Sequence, residues 1–502
     1  MQFSRMIGNV LLGLGALVLV ACEPAGNRPA GLAPQTSAVR SANEQREGDQ
    51  NHSKIVAQFG GIYENARVTS YVNQIGRRIA EVSEQPNARW TFTVLDSPTI
   101  NAFAIPGGYV YVTRGLVALA GDEAQLAGVI GHEIGHVVAG HSALRRKRGT
   151  TAGIGLLAGA IGLSVLGVDP NVAGGLMDIG QQAAGGYLAQ NSRGDELDAD
   201  NLGIRYLSRA GYDPYAQADF IDRLGASSEL QARISGGAYD ANRVDFFASH
   251  PANGPRTRQA IQIAQSAGAV GTVGANRNRD QFLAAIDGIV YGDSADQGFV
   301  DGRTFSHPKL RFTFSVPQRF TINNTANAVV ATGPQKSRFI LDGAADQGGD
   351  LSDYIARVWA PGIARSQRTG QLTGLRRERI NGLDAASAIL PVQLGGQVFE
   401  ALLVAYRLDG KLYRITGLTP RGSGQMPAIS DAAASFRRLS GAEAGRLREK
   451  RIDITTVRSG DTAERLARRM NFDDYQVERF RVLNGLRPGA PLRVRDRVKL
   501  VR

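Results

Sequence analysis

The period of the apolar positions changes repeatedly along this chain, and each change marks an expected element. In residues 66–85, Val68, Val72, Ile75, Ile79 and Val82 recur at spacings of three to four, which puts them on one helical stripe. Residues 89–117 switch to alternation: Trp90, Phe92 and Val94, then Tyr109 and Tyr111 beyond a Pro-Gly-Gly turn, predict short strands. Residues 128–141 are apolar around two histidines and free of proline, and 201–214 read as an amphipathic helix. A further helical run from 258 to about 268 closes this first part. Beyond 303 strand-like runs recur (310–317, 328–332, 338–343, 385–394, 399–419), with helices expected only at 351–360 and 426–436. Asp409-Gly410 between two such runs is a two-residue hairpin signal. The last fifty residues read strand, helix, helix, strand. The pattern predicts a multidomain α+β chain: a mainly helical domain at 52–275, a linker at 276–302, an α+β domain with an antiparallel sheet at 303–440, and a small βααβ domain at 452–502.

The amino terminus has a different character. Arg5 precedes an apolar run ending in Leu19-Val20-Ala21-Cys22, too short and glycine-rich for a comfortable membrane span and laid out like a secretory signal over 1–21. The small residue before Cys22 resembles a bacterial lipobox, which implies cleavage there and lipidation of the Cys22 thiol. Glu23, rather than aspartate, after it leans towards the outer membrane, facing the periplasm. Cys22 is the only cysteine of the chain, which excludes internal disulfides and thiolate zinc sites. Residues 22–51, rich in Pro, Ala, Gly, Ser, Asn and Gln, are expected to be a lipidated flexible tether. A second apolar stretch, 151–168, follows the cluster Arg145-Arg146-Lys147-Arg148; five glycines weaken it as a lone span, so a buried or membrane-leaning hairpin is expected.

Composition adds little except through charge. Lys plus Arg exceed Asp plus Glu by 58 to 46, and a basic secreted chain can meet anionic lipid or wall polymer. No recognition module accompanies the charge, so nucleic acid is not an expected partner.

Candidate chemistry lies in the histidine-bearing helix. His132, Glu133 and His136 spell H-E-x-x-H. At about 100° per residue the two histidines lie about 40° apart on one face, able to grip one ion. Glu133 then sits where its carboxylate can take a proton from water and hand it to a leaving amine. A catalytic zinc wants three protein ligands and an open position. The acidic stretch 191–200 supplies candidates for the third, with Glu196 and Asp200 four residues apart on one helical face. His141 comes one residue too early for a metzincin ligand, since the required positions hold Ala139 and Ser142. It reads as a helix-end or core histidine.

Residues 101–141, the Glu196-x-x-x-Asp200 pair and the later Ser249-His250-Pro251 together resemble peptidase family forty-eight of the metallo class, over about residues 50–270. The resemblance implies a gluzincin-type zincin fold with one Zn2+ on His132, His136 and Glu196, and Glu133 as general base. It makes Asp200 the acceptor that orients a ligand imidazole, and His250 a displaceable fourth ligand or transition-state donor. Arg256 matches the arginine after that motif. Asn101, Ala102, Phe103 and Ala104 become a substrate-lining edge strand, to which an extended peptide adds. The 303–440 domain loosely resembles small photosystem-accessory or nuclear-import α+β modules, with a recognition or packing role. The 452–502 segment resembles a LysM module whose loops at Gly460-Asp461-Thr462 and after Leu486 form a groove for N-acetylglucosamine chains, a route to peptidoglycan. The implied activity is that of a zinc endopeptidase of the bacterial cell envelope acting on misfolded or stalled envelope proteins. The competing readings are a non-catalytic lipid-anchored chaperone or scaffold, which has no need of Glu133, and a peptidoglycan hydrolase, whose usual metal motifs are not this one.

Overall fold

In the computed structural model, the residues described are 42–141, 192–234, 250, 254–268, 276–365 and 367–502. The expected signal, Cys22, most of the tether and the 151–168 stretch lie outside them. No helix among the described residues is long and apolar enough to cross a membrane.

The first region opens with α1 (Ala42–Gln58) and α2 (Ala66–Glu81). Helix α1 corrects the expectation of a flexible tether up to 51. Its sequence is polar, but Gly48 sits against the Pro106 carbonyl and the Tyr109 ring, and Tyr109 donates to Asp49. Tertiary contact, not propensity, orders it. Strands β1 (Thr91–Leu95), β2 (Ala102–Ile105) and β3 (Tyr109–Thr113) form a three-stranded sheet in the order β1-β3-β2. The first pair is parallel and the second antiparallel, which leaves β2 at an edge. Alternation divides the faces: Ala102, Ala104, Val110 and Val112 join the main core, whereas Phe103, Ile105, Tyr109 and Tyr111 pack with Ile55 and Phe59 of α1.

Short α3 (Arg114–Leu119) leads to α4 (Glu123–Val138), whose amino end is capped by Asp122 accepting from the Gln125 amide. Residues 123–136 of α4 are all buried, as expected of a helix that is apolar around most of its circumference. It crosses α5 (Arg193–Arg209), which begins in a Ser192–Asp195 capping box. The crossing is close because glycines line it. A Cβ on Gly203 would stand 2.9 Å from the His132 amide nitrogen, and one on Gly131 3.3 Å from the Gly203 Cα. Helices α6 (Ala216–Ile234) and α7 (Gly254–Gly268) complete the layer.

The expected linker is part of this core rather than a connection outside it. Helix α8 (Arg279–Ile286) buries Phe282, Leu283 and Ile286, and β4 (Val290–Tyr291) follows. Arg114, fully buried, holds that stretch by donating to the carbonyls of Val290 (2.8 Å) and Gly292 (2.9 Å) and to Asp96 (2.7 Å).

The accessory region has two sheets. Strands β5 (Phe299–Asp301), β6 (Thr304–His307) and β7 (Phe312–Ser315) join β15 (Arg437–Arg438) in the order β15-β7-β6-β5. Strands β8 (Thr321–Asn324), β9 (Ala328–Thr332), β10 (Arg338–Ala344), β11 (Thr373–Ile380), β12 (Leu383–Leu394), β13 (Gln397–Leu408) and β14 (Lys411–Pro420) form an antiparallel seven-stranded sheet, order β11-β12-β13-β14-β10-β9-β8. The Asp409-Gly410 turn joins β13 to β14 with both residues at positive φ (51° and 70°), as the hairpin signal requires. One face of the large sheet carries α9 (Leu351–Tyr354), a π-helical turn at Ile355–Trp359 and α10 (Ala360–Ala364); the other packs α11 (Met426–Ala434).

Helix α12 (Gly441–Arg446) leads into the carboxy-terminal part, which has the expected order: β16 (Lys450–Thr456), α13 (Ala463–Ala467), α14 (Gln476–Asn484) and β17 (Arg497–Val501). It does not stand apart. Strand β16 pairs with β4, and Ile452, Leu466, Phe480, Leu483 and Leu500 share the main core. Lys499, fully buried, donates to the carbonyls of Ala118 (2.7 Å), Leu119 (3.0 Å) and Ala120 (2.8 Å), satisfying the free carboxy end of α3.

Candidate metal centre

Where α4 crosses α5, four side chains turn inward: His132 and His136 from α4, Glu196 from the first turn of α5, and His250 from the segment before α7. Four potential ligand atoms, one from each, lie within 4.8 Å of one another, and all four residues are buried. The Nε2 atoms of His132 and His136 are 3.0 Å apart, and His250 Nδ1 is 3.2 Å from His132 Nε2. Glu196 reaches all three rings, with its Oε2 3.5 Å from His132 Nε2, and its Oε1 3.3 Å from His136 Nε2 and 3.0 Å from His250 Nδ1. Zinc–nitrogen bonds of about 2.0–2.1 Å in a tetrahedron put donor atoms about 3.3 Å apart. The donors already stand near that spacing.

Tautomers point the same way. His132 Nδ1 lies 2.9 Å from Asp200 Oδ1 and donates to it, so the ring's Nε2 turns a lone pair to the centre. His136 Nδ1 is 2.8 Å from His141 Nδ1; with that hydrogen bond donated by His136, its Nε2 likewise presents a lone pair. Two lone pairs 3.0 Å apart repel unless a cation lies between them.

Charge gives a third argument. Glu133, Glu196 and Asp200 bring three formal negative charges and Arg256 one positive, all buried, an imbalance that a dication cancels. Burial opposes charge on His132, yet Asp200 and Glu196 outweigh it and push the imidazole up to about 9, so without an ion the ring takes a second proton at Nε2, which a bound cation would displace. Burial also works against the Glu196 carboxylate, but His250 above all, with His132 and His136, holds it far below the usual range. Arg256 and His132 do the same for Asp200. Burial and the neighbouring His132 push His136 well down. Arg256 grips Asp200 through Nε (2.7 Å) and Nη2 (2.9 Å) and reaches Glu196 Oε2 through Nη1 (2.7 Å), so one guanidinium sets the spacing of both acids.

Residues 66–264 match the model of Peptidase family M48. The chain carries an M48 domain. Among curated relatives, the mitochondrial metalloendopeptidase OMA1 of Schizosaccharomyces pombe is 28% identical over 264 residues, covering 51% of this chain and 71% of that protein. The β-barrel assembly-enhancing proteases of Yersinia pestis (29% identical; 44% of this chain, 48% of the relative) and Escherichia coli (30%; 33% and 34%) match over less. The chain thus spans under half the length of those two bacterial relatives. The M48 domain is a metalloendopeptidase domain, and its buried histidine–glutamate cluster is a site for a metal ion, zinc in this family.

The M48 domain brings together every residue expected at the metal, and Glu133 lies beside them, its Oε1 3.4 Å from His250 Nε2. The expected substrate strand is the sheet edge β2. Asn101, just before it, is fully buried, its backbone paired with Thr113, and neither side-chain atom has a hydrogen-bond partner among the described residues. Two contributions escaped sequence reasoning. His141 is a core histidine, as expected, but also the direct partner of His136, with Asp195 3.9 Å away; its position just past the end of α4, five residues after His136, is the signal that marks it. Gly131 and Gly135, each one residue before a ligand histidine, let α5 approach, and Gly135 meets the Ala199 carbonyl at 3.1 Å from its would-be Cβ.

Proposed function

We propose that this protein is a zinc-dependent endopeptidase of the bacterial cell envelope that hydrolyses peptide bonds in misassembled or unfolded envelope proteins. The observation that carries the reading is the convergence of His132, His136, Glu196 and His250 with Glu133 buried beside them. The likeness to β-barrel assembly-enhancing proteases supports the envelope and the substrate class. Zinc, when bound by His132, His136 and Glu196, supplies Lewis acidity. Glu133 takes the proton of the attacking water and returns it to the leaving amine. Asp200 keeps the His132 ring in register, and Arg256 holds Asp200 and Glu196. His250 is the fourth, displaceable donor: its Nδ1 faces Glu196 and its Nε2 faces Glu133, so substrate entering there takes its place. The edge strand at Asn101, Ala102, Phe103 and Ala104 receives the peptide backbone.

Anchoring through a lipidated Cys22 places the active site at the periplasmic face of the outer membrane. A glycan contact through the LysM-like part has less support, because the loops that would form its groove carry Arg458, Arg487, Arg493 and Arg495.

The test is Glu133→Gln. The variant is expected to keep stoichiometric zinc by elemental analysis while casein cleavage falls by at least a hundredfold, in line with loss of a general base. Cleavage at the wild-type rate removes Glu133 from the mechanism. A wild-type protein that binds unfolded protein but never cuts it supports the scaffold reading instead.

A further inference from the structure

One end of the carboxy-terminal part is built of two loops, 457–462 and 485–496. They are tied together by Val457 N donating to Asp496 O (2.8 Å) and Arg495 N donating to Val457 O (2.9 Å). Four arginines project from this end, Arg458, Arg487, Arg493 and Arg495, and all are exposed. Their side chains form no ion pair among the described residues. In the same part the exposed Arg465, Arg468 and Arg469 likewise form none among the described residues, whereas Arg479 pairs with Asp474, Arg481 with Glu464, Arg497 with Asp280 and Arg502 with Asp453. Of the two acids nearby, Asp461 accepts from the Arg458 backbone amide, and Asp496 is the only acid of loop 485–496.

Between Arg493 and Arg495 stands Val494, 57% exposed and the most exposed large apolar side chain among the described residues. Arg495 holds φ at +78°, a left-handed conformation costly for an arginine and kept only where neighbouring contacts impose it. Here the two loop-to-loop hydrogen bonds impose it. The tip presents an apolar side chain flanked by two unneutralised guanidinium groups. A soluble polyanion would use the charge but not the valine, and an uncharged glycan chain could pack on the valine but would leave the guanidinium groups without a counter-charge. A lipid surface uses both, with phosphate at the arginines and the acyl boundary at the valine.

We infer that the Arg493-Val494-Arg495 tip, with Arg458 and Arg487, is a contact site for an anionic phospholipid surface. It holds the carboxy-terminal end of the protein against the membrane. Because this part shares the protease core and Lys499 caps α3, such a contact fixes the orientation of the whole protease domain at the bilayer, beyond what a flexible tether achieves.

The experiment is vesicle flotation of the full chain. It compares wild type with the Arg458→Gln/Arg493→Gln/Arg495→Gln triple variant and with Val494→Ser. Vesicles are of phosphatidylcholine alone or mixed with phosphatidylglycerol. Because the lipid anchor proposed at Cys22 would also bind vesicles, the reading is the difference between variants on the same vesicles. At roughly one kcal/mol per arginine near an anionic surface, the triple variant is expected to lose about a hundredfold in partitioning on the mixed vesicles and little on the neutral ones. Val494→Ser is expected to lose severalfold on the mixed vesicles. Casein cleavage and melting temperature in detergent-free buffer should stay at wild-type values for both, since the substitutions are at exposed loop positions. Unchanged partitioning of the triple variant overturns the inference. So does a Val494→Ser variant that matches wild type on vesicles while the arginines alone govern binding to polyphosphate, which marks a soluble polyanion site. Sedimentation with peptidoglycan that is lost in the triple variant, with vesicle binding intact, marks a glycan site and overturns it equally.

Discussion

Asp200→Asn tests the proposal that this carboxylate, itself no ligand, orients the imidazole of His132, which is one. Asp200 accepts four hydrogen bonds: from His132 (2.9 Å), from Arg256 Nε (2.7 Å) and Nη2 (2.9 Å), and from Gln217 Nε2 (3.1 Å). Asparagine keeps the shape but offers one carbonyl oxygen in place of two charged ones, and turns an NH2 towards either His132 Nδ1–H or the guanidinium. Donor then meets donor. If the amide faces His132, the ring is freed to rotate or to move its proton to Nε2, the nitrogen meant for the metal. Removing an acceptor of this kind typically costs tenfold to a hundredfold in metal affinity, about 1.4–2.8 kcal/mol. Arg256 keeps only Glu196, and breaking a buried pair costs about 3–5 kcal/mol in stability, the lower end applying because one partner remains. Zinc affinity would be measured by competition with a chelating dye, and stability by calorimetry in excess chelator so that the two effects separate. A variant whose zinc affinity stays within twofold of wild type, with an unaltered calorimetric melt, refutes the claim that Asp200 positions His132.

The other predictions test different layers. Gly203→Ala puts a methyl group 2.9 Å from the His132 amide nitrogen and should drive α4 and α5 apart, weakening zinc binding and lowering the melting temperature. Gly225→Ala on α6 meets no atom within 4 Å and is expected to stabilise by up to about 1 kcal/mol, read in the same melts. Lys499→Met leaves three buried carbonyls without their donor and should cost roughly 3 kcal/mol, seen as joint destabilisation of the protease and carboxy-terminal parts in proteolysis or hydrogen exchange; loss of protection in the carboxy-terminal part alone contradicts the shared core. Burial pushes His307 down to about 4 from an ordinary 6.5, and its Nδ1 accepts from the Leu310 amide. With the folded-state pKa depressed, its contribution is complete above pH 6.5 and is lost as pH falls towards 4. Acid melts of the accessory region should show this loss, at most about 3 kcal/mol, and His307→Gln should flatten it.

Much of the metal centre was legible because its signals are local. Two histidines four apart on a helix, and two acids four apart on another, share faces by helical geometry alone, whatever the rest of the chain does. The Asp409-Gly410 hairpin was legible for the same reason: positive φ at consecutive residues narrows the choice of side chain. The polar helix α1 was not, because its order comes from Tyr109 and Pro106, more than fifty residues away. Nor was the fate of the 276–302 stretch, whose apolar residues can fill a core but do not say which one.

By itself, then, the chain determined which side chains are ligand-competent, on which helical faces they lie and where strands turn back, since those follow from bonds and periods a few residues long. Only the tertiary structure decided that His141 backs His136 and that Lys499 seats the carboxy-terminal part on α3. Each of those contacts joins groups through space. Their existence depends on how closely glycine-lined helices cross and which buried carbonyls lack a donor, quantities that no local pattern of residues encodes.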